Sequence, residues 1–155
     1  PTNQRTMIAS IIPSMPTCQS VQLLQTTPVE DLLMILALFN SKVFDFFVRL
    51  KRGGIDLTQS VVRQIPVPFR EAWNSMVTLH GVDYTALDAV RALERLLYRN
   101  EPDLCGLWDG VPEIKNADNY YKTAADVREE IDKIIFQMYG LTSAEEKMVR
   151  NSFKA

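Results

Sequence analysis

Arg49, Lys51 and Arg52 close a long apolar stretch and run directly into Gly53 and Gly54, with Arg63 further along the same segment. Cations delivered next to a double glycine suit a polyanion. They neutralise phosphates, and glycine lets the backbone approach closely. Between them, Thr58, Gln59, Ser60 and Gln64 supply neutral donors and acceptors of the kind that read base edges. Arg5 and Asn3, at the start of the first apolar segment, can join the same surface. The chemistry offered is nucleic-acid binding. Arg49, Lys51, Arg52 and Arg63 hold phosphates, Gly53 and Gly54 admit the backbone, Gln59 reads the major groove, and Arg5 completes the DNA-binding set. The competing reading is a capped helix followed by a solvated turn, because helix C-termini attract Lys and Arg in any protein.

Covalent chemistry has fewer candidates. His80 is the single histidine, so no Ser/His/Asp set can be assembled around a second one. It precedes Gly81 at an expected helix end, where an imidazolium is favoured electrostatically and a structural role follows. No GxGxxG or Walker-type loop is present. Asp126, Glu129, Glu130 and Asp132 read as a solvated acidic helix face and not as a metal site. Cys18 and Cys105 belong to no CxxC pair, which argues against zinc or a disulfide framework and leaves two buried thiols as the expectation. Asn119-Tyr120-Tyr121 lacks the two prolines of the Asn-Pro-Pro-Tyr motif with which adenine methyltransferases hold a flipped base, and no cofactor-binding βαβ unit precedes it. Catalytic, cofactor and metal residues are therefore not expected here.

The elements that must position these groups follow from periodicity. Thr6–Ile12 and Thr17–Gln25 read as short strands around a turn marked by Pro13 and Pro16. Thr27-Pro28-Val29-Glu30 reads as a capped helix start, and the apolar stripe Leu32, Leu33, Leu36, Phe39, Val43, Phe46, Phe47 and Leu50 predicts one helix reaching Arg52. One or two helical turns around 57–64 and a short strand at 65–68 are expected next. From 70 onward the signals are helical: one helix over 70–79, and a second opened by Thr85 with Asp88 and running to Arg99. A long loop follows over 100–119. Thr123 with Asp126 opens another helix ending at Gly140, and Thr142 with Glu145 caps a last one through Phe153. The expected class is α+β: short strands packed on a long helix in the N-terminal half, and a helical C-terminal half. The division falls at 1–70 and 71–155.

Totals set outer bounds. With 155 residues, 46% hydrophobic and 23% charged, the chain has the length and composition of a folded domain. Its longest uninterrupted apolar run, Leu32–Phe39, falls far short of the roughly 20 residues that cross a bilayer. A cytoplasmic protein without a membrane partner is expected. The net charge of −2 conceals an asymmetry. Residues 1–70 carry seven basic against four acidic residues, a balance of +3, and the remainder carries ten against fifteen, a balance of −5. That places anion binding in the front half. The chain opens at Pro1 without a charged leader and apolar core, and reads as a piece of a longer protein.

Several of these pieces stand in one order: Thr2-Asn3-x-Arg5-Thr6, then LALFNSKVFDFFVRLKRGG (36–54), then IPVP (65–68), then RxxIDKIIFQMYGLT (128–142). In that order the chain resembles the C-terminal target-recognition region of type IIG restriction–modification adenine methyltransferases, including the TaqI-like specificity domains. The match covers most of residues 2–70 and returns at 128–142, while 80–118 matches nothing in it. The resemblance maps framework positions onto Asn3, Arg5, Thr6, Asn40, Ser41, Gly53, Gly54, Pro66 and Pro68. It implies binding of double-stranded DNA, an upstream methyltransferase domain on the same polypeptide, and S-adenosylmethionine held by that upstream domain and not by this one. A nuclease shares the polypeptide in some members. The segment between the first strand and the helix, Pro13–Thr27, is shorter than in many relatives. Two other readings stand beside it. One is a helical interaction module that docks onto the parent enzyme or a partner subunit. The other is half of a type I specificity subunit, which shares the Leu-Asn-Ser helix and the Ile-Pro-x-Pro style.

Overall fold

The computed structural model describes residues 5–13, 15–18, 22–52 and 57–153. The architecture is helix-dominated α+β. Helices α1 (Val29–Asn40), α2 (Lys42–Lys51), α3 (Gln59–Val62), α4 (Ala86–Leu97), α5 (Ala117–Tyr120), α6 (Ala124–Met138) and α7 (Ser143–Asn151) accompany a hairpin of β1 (Met76–Leu79) and β2 (Val82–Thr85) that packs on α4. Two 3-10 segments, Arg70–Asn74 and Pro102–Trp108, join them.

The expected continuous helix over 27–52 is two helices. Ser41 lies in extended backbone (φ −77°, ψ 148°) and caps α2, its hydroxyl accepting from Phe44 N at 3.2 Å and donating to Leu38 O at 2.7 Å. Short polar side chains compete in this way with the helical ladder, and the apolar stripe on either side hides the interruption. Thr27 does not cap α1, whose first residue is Val29.

The expected strands over 6–12 and 17–25 form no ladder among the described residues. Residues 5–9 join no sheet, with a bend at Thr6, and the amides of Thr6, Met7 and Ala9 are taken by side chains of the α1–α2 junction. The short strand expected at 65–68 is likewise an unladdered exit, pinned by a hydrogen bond from Tyr139 Oη to Pro66 O (2.8 Å). No described residue of the first 70 belongs to a sheet.

The sheet lies where a helix was expected. Met76–Leu79 pairs antiparallel with Val82–Thr85, Leu79 opposite Val82. His80 and Gly81 form the two-residue turn with φ of 51° and 81°. Positive φ at both central positions is what such a turn requires, and the branched Val77, Thr78, Val82 and Thr85 suit the flanking strands. Ala86 N donates to Ser75 O (2.8 Å), so the hairpin leads straight into α4. The cap signals of the later helices hold. The Thr85 hydroxyl accepts from Asp88 N, and Thr123 with Asp126 and Thr142 with Glu145 form reciprocal boxes. The expected loop over 100–119 contains the second 3-10 segment and α5.

Helix α4 is the hub, packed between α1 and α6. Ala86, Ala89 and Ala92 are buried on it and bring neighbouring backbones close, while Val90 and Leu93 fill the remaining space. One core cluster takes in Val43, Phe44 and Val48 of α2, Trp73, Leu93, and Ile131, Ile134 and Ile135 of α6. Residues on both sides of position 70 therefore share it.

Glu94 of α4 is only 2% exposed. Burial pushes its carboxyl up to about 8, and Arg128 offsets this only in part. Folded protein then holds a proton that the unfolded chain has released. Stability should fall as pH rises through the window from the ordinary glutamate range to about pH 8, at roughly 1.4 kcal/mol per pH unit, and level off above. Glu94→Gln, which copies the protonated form, should flatten that fall in urea titrations at a series of pH values. An unchanged pH profile would show that Glu94 does not carry the effect.

Candidate nucleic-acid interface

The arginines singled out from the sequence divide into two groups. Arg5 and Arg49 converge on Asp45, which is fully buried. Arg5 Nε donates to Asp45 Oδ2 at 3.0 Å, and its Nη2 donates to the carbonyl of Asn40. Arg49 Nη2 lies 3.6 Å from the same carboxylate oxygen, and its Nη1 donates to Ser152 O at 3.1 Å. Both guanidinium groups also lie over the ring of Phe153, Arg49 at 4.2 Å and Arg5 at 5.8 Å from its centroid. Both were expected among the DNA-binding residues, and here their charges are engaged inside the fold. A buried carboxylate needs compensation, and these are the cations that supply it.

Asp45 does more than pair with arginines. It accepts from the backbone amides of Thr6 (3.0 Å) and Met7 (2.9 Å). At the end of α1, Asn40 holds both backbone groups of Ala9: Ala9 N donates to Oδ1 at 3.0 Å, and Nδ2 donates to Ala9 O at 2.9 Å. The junction between α1 and α2 thus acts as a clamp on residues 5–9, with side chains standing in for a neighbouring strand. Sequence reasoning missed Asp45. The available signal was a lone carboxylate within the apolar run Val43–Val48, four residues before Arg49.

Lys51 and Arg52 are exposed at the C-terminal end of α2. Gln59, the first residue of α3, and Arg63, just after its end, are also exposed. Gly53 and Gly54, like Asn3, lie outside the described residues. The neutral groups around α3 are partly occupied. Thr58 and Ser60 share a hydrogen bond at 2.9 Å, and Gln64 Nε2 donates to Ser60 O at 3.0 Å. Gln59 presents its amide at the surface beside them. Lys51, Arg52, Gln59 and Arg63 are thus exposed at the end of α2 and around α3.

Much of the positive balance of residues 1–70 is answered within the fold. Lys42 reaches across to α6 and pairs with Glu129 (2.7 Å) and Asp132 (2.9 Å). Asp132 also caps α2 from outside, accepting from Lys42 N at 2.8 Å. It is buried, and burial raises its carboxyl against the opposing pull of Lys42. Burial also works against ionised Glu129, but hydrogen bonds from Lys42 and Arg150 leave its carboxyl below the ordinary range. Arg150 of α7 bonds both Glu129 and Glu146, extending the chain of charges from α2 to α7. The expected solvated acidic face is therefore half structural, with Asp132 and Glu129 turned toward Lys42 and Arg150. Arg70 pairs with Asp31 at 3.0 Å.

The remaining candidates behave as follows. His80 stands at the hairpin tip and not at a helix end. Its ring stacks on Tyr120 (3.5 Å between centroids, 6° between planes), and its Nε2 lies 2.9 Å from Tyr121 Oη. Burial pushes the Tyr121 hydroxyl up to about 12. Asn119-Tyr120-Tyr121 thus places its two tyrosines against the hairpin. Cys18 and Cys105 are both exposed, contrary to the expectation of buried thiols. Among the described residues, no group of histidine, cysteine and carboxylate side chains is arranged to hold a metal. No described helix is long and apolar enough to cross a membrane.

No family model, no curated protein and no solved structure matches this chain.

The clamp has a direct test. Asp45→Ala leaves two backbone amides and Arg5 Nε without their acceptor, and should cost about 3–5 kcal/mol in denaturant unfolding. Amide exchange of Thr6, Met7 and Ala9 should accelerate together. Loss of stability with those amides still protected would show that the segment is held by something other than Asp45.

Proposed function

We propose that this chain is a DNA target-recognition region, of the kind that serves a restriction–modification adenine methyltransferase, and that it contacts duplex DNA through the end of α2 and the α3 turn. The observation that carries the reading is the exposed set Lys51, Arg52, Gln59 and Arg63, together with the ordered sequence pieces that resemble such regions. The lysine and arginines supply sequence-independent attraction to phosphates, and Gln59 supplies an amide that can pair with adenine on its major-groove edge. The clamp supports the reading indirectly. Of the positions that the resemblance marks as framework, Asn40 accepts from Arg5 and holds Ala9, Thr6 donates to Asp45, and Ser41 interrupts the helix at the same junction. On this reading methyl transfer, S-adenosylmethionine binding and extrusion of the target adenine belong to an upstream domain of the same polypeptide. The residues of this chain select and position.

Fluorescence anisotropy with a mixed-sequence duplex over a salt series tests the phosphate contacts. Lys51→Ala with Arg63→Ala should weaken binding and make the log–log salt slope shallower by roughly two, since each lost phosphate contact removes about 0.9. Gln59→Ala should leave that slope unchanged and alter the sequences recovered from a randomised duplex pool. A chain that binds no duplex, or a double variant with the original slope, would remove the basis for the proposal.

A further inference from the structure

Where the segment Ser10–Pro13 lies against Tyr98 and the start of the second 3-10 segment, the fold leaves a cavity of about 240 Å³. Ile11, Ile12, Pro13 and Leu104 give it apolar walls, and Glu101 and Asp103 add two carboxylates. Leu104 is buried and Ile12 is 41% exposed, so these walls reach from the interior to the surface. Tyr98 is fixed from two sides. Its hydroxyl lies 3.4 Å from Ser10 Oγ, and its ring stacks on Trp108 with 6.3 Å between centroids. That wall is set before any ligand arrives.

The charges around the cavity are one-sided. No lysine, arginine or histidine lines it. Among the described residues, neither Glu101 nor Asp103 is in an ion pair. The cations closest to them in sequence are engaged elsewhere: Arg95 donates to Val111 O at 3.2 Å, and Arg99 pairs with Asp118 at 2.7 Å. The facing segment brings none, since the chain carries no charged residue from Thr6 to Val29. Residues 101–113 hold four carboxylates and no lysine or arginine. By contrast, Asp45, Glu129 and Asp132 each meet a cation of the fold. An apolar cavity with two unanswered carboxylates is complementary to a cation that carries its own apolar stem.

Volume sets the size of that cation. Small-molecule pockets usually measure about 300–1,000 Å³, and a cavity of roughly 150 Å³ holds one benzene. At about 240 Å³ this one suits a single long side chain. Arginine fits better than lysine. Its planar fork can meet two carboxylates at once, and arginine is enriched in protein interfaces where lysine is depleted. The exposed apolar surface at Ile12 and Pro13 offers further contact of a kind that a partner protein can cover. We infer that this cavity is a docking site for an arginine of another protein, its stem against Ile11, Ile12 and Leu104 and its guanidinium on Glu101 and Asp103. Such docking is independent of DNA binding. It also gives a role to part of residues 80–118, which the resemblance leaves unmatched.

The peptide acetyl-Ser-Leu-Arg-Leu-Ser-amide, titrated into the isotope-labelled full chain, tests the site by amide chemical shifts. Ile11, Ile12, Glu101, Asp103 and Leu104 should shift saturably. Replacing the peptide's arginine by citrulline, its uncharged counterpart, should weaken binding by about tenfold or more, as should Glu101→Gln with Asp103→Asn. Both carboxylates are exposed, so the double variant should keep its fold, and unmoved amides of the core check that. A lysine peptide and free acetyl-arginine amide should each bind more weakly than the arginine peptide. Absence of a saturable shift overturns the inference, as does equal binding of the citrulline peptide or an unaffected double variant. Equal binding of the lysine peptide overturns the assignment to arginine. Equal binding of acetyl-arginine amide overturns the protein partner. A chain that takes the peptide and binds no duplex counts against the proposed function alone.

Discussion

The buried carboxylate of Asp45 is the constraint on which the front of this molecule depends. A fully buried charge inside an apolar helix is tolerated only where it is surrounded by donors, and here they come from three directions: the amides of Thr6 and Met7, the Arg5 guanidinium, and Arg49 one turn away on the same helix. Each donor brings its own segment with it. The first holds the segment at Thr6 and Met7, and the last meets Ser152 and Phe153 after α7. Residues separated by almost the whole sequence are thereby tied to one turn of α2.

A second set of charges repeats the logic at the back of α2. Lys42 supplies a cation to Glu129 and Asp132, and Asp132 in turn accepts the Lys42 amide at the start of the helix. That helix is therefore held at its beginning by α6 and along its length by the Asp45 cluster. Apolar packing through Val43, Phe44 and Val48 supplies the non-directional part, and the ion pairs set the rotation at which the helix sits. Engaging so many charges near one helix also explains why the positive balance of residues 1–70 does not become a continuous basic face. Arg5, Lys42, Arg49 and Arg70 are paired with carboxylates of the fold, and the exposed Lys51, Arg52 and Arg63 lie after residue 50.

Much of the fold is legible in the sequence because its signals are local. Thr85, Thr123 and Thr142 each stand before a helix with a carboxylate three residues on, and each caps the helix it precedes. Apolar recurrence locates α1, α2, α4 and α6. Two features are hidden, again for local reasons. The Asn40-Ser41 pair breaks the helix through hydrogen bonds that an apolar stripe cannot reveal. The His80-Gly81 turn reads as a helix end, because a short hairpin and a helix terminus share the same glycine signal.

The candidate site is less legible, for a physical reason. By itself, the amino-acid order determined where the threonine-capped helices start and that cations collect after the apolar stretch. It could not say which of those cations would meet a carboxylate. Arg5 and Arg63 are the same residue type in similarly polar surroundings along the chain. One closes a buried charge cluster forty positions away and the other stays at the surface. Only the tertiary structure decided between them, because electrostatic compensation acts through space over a few ångströms and takes no account of separation along the chain.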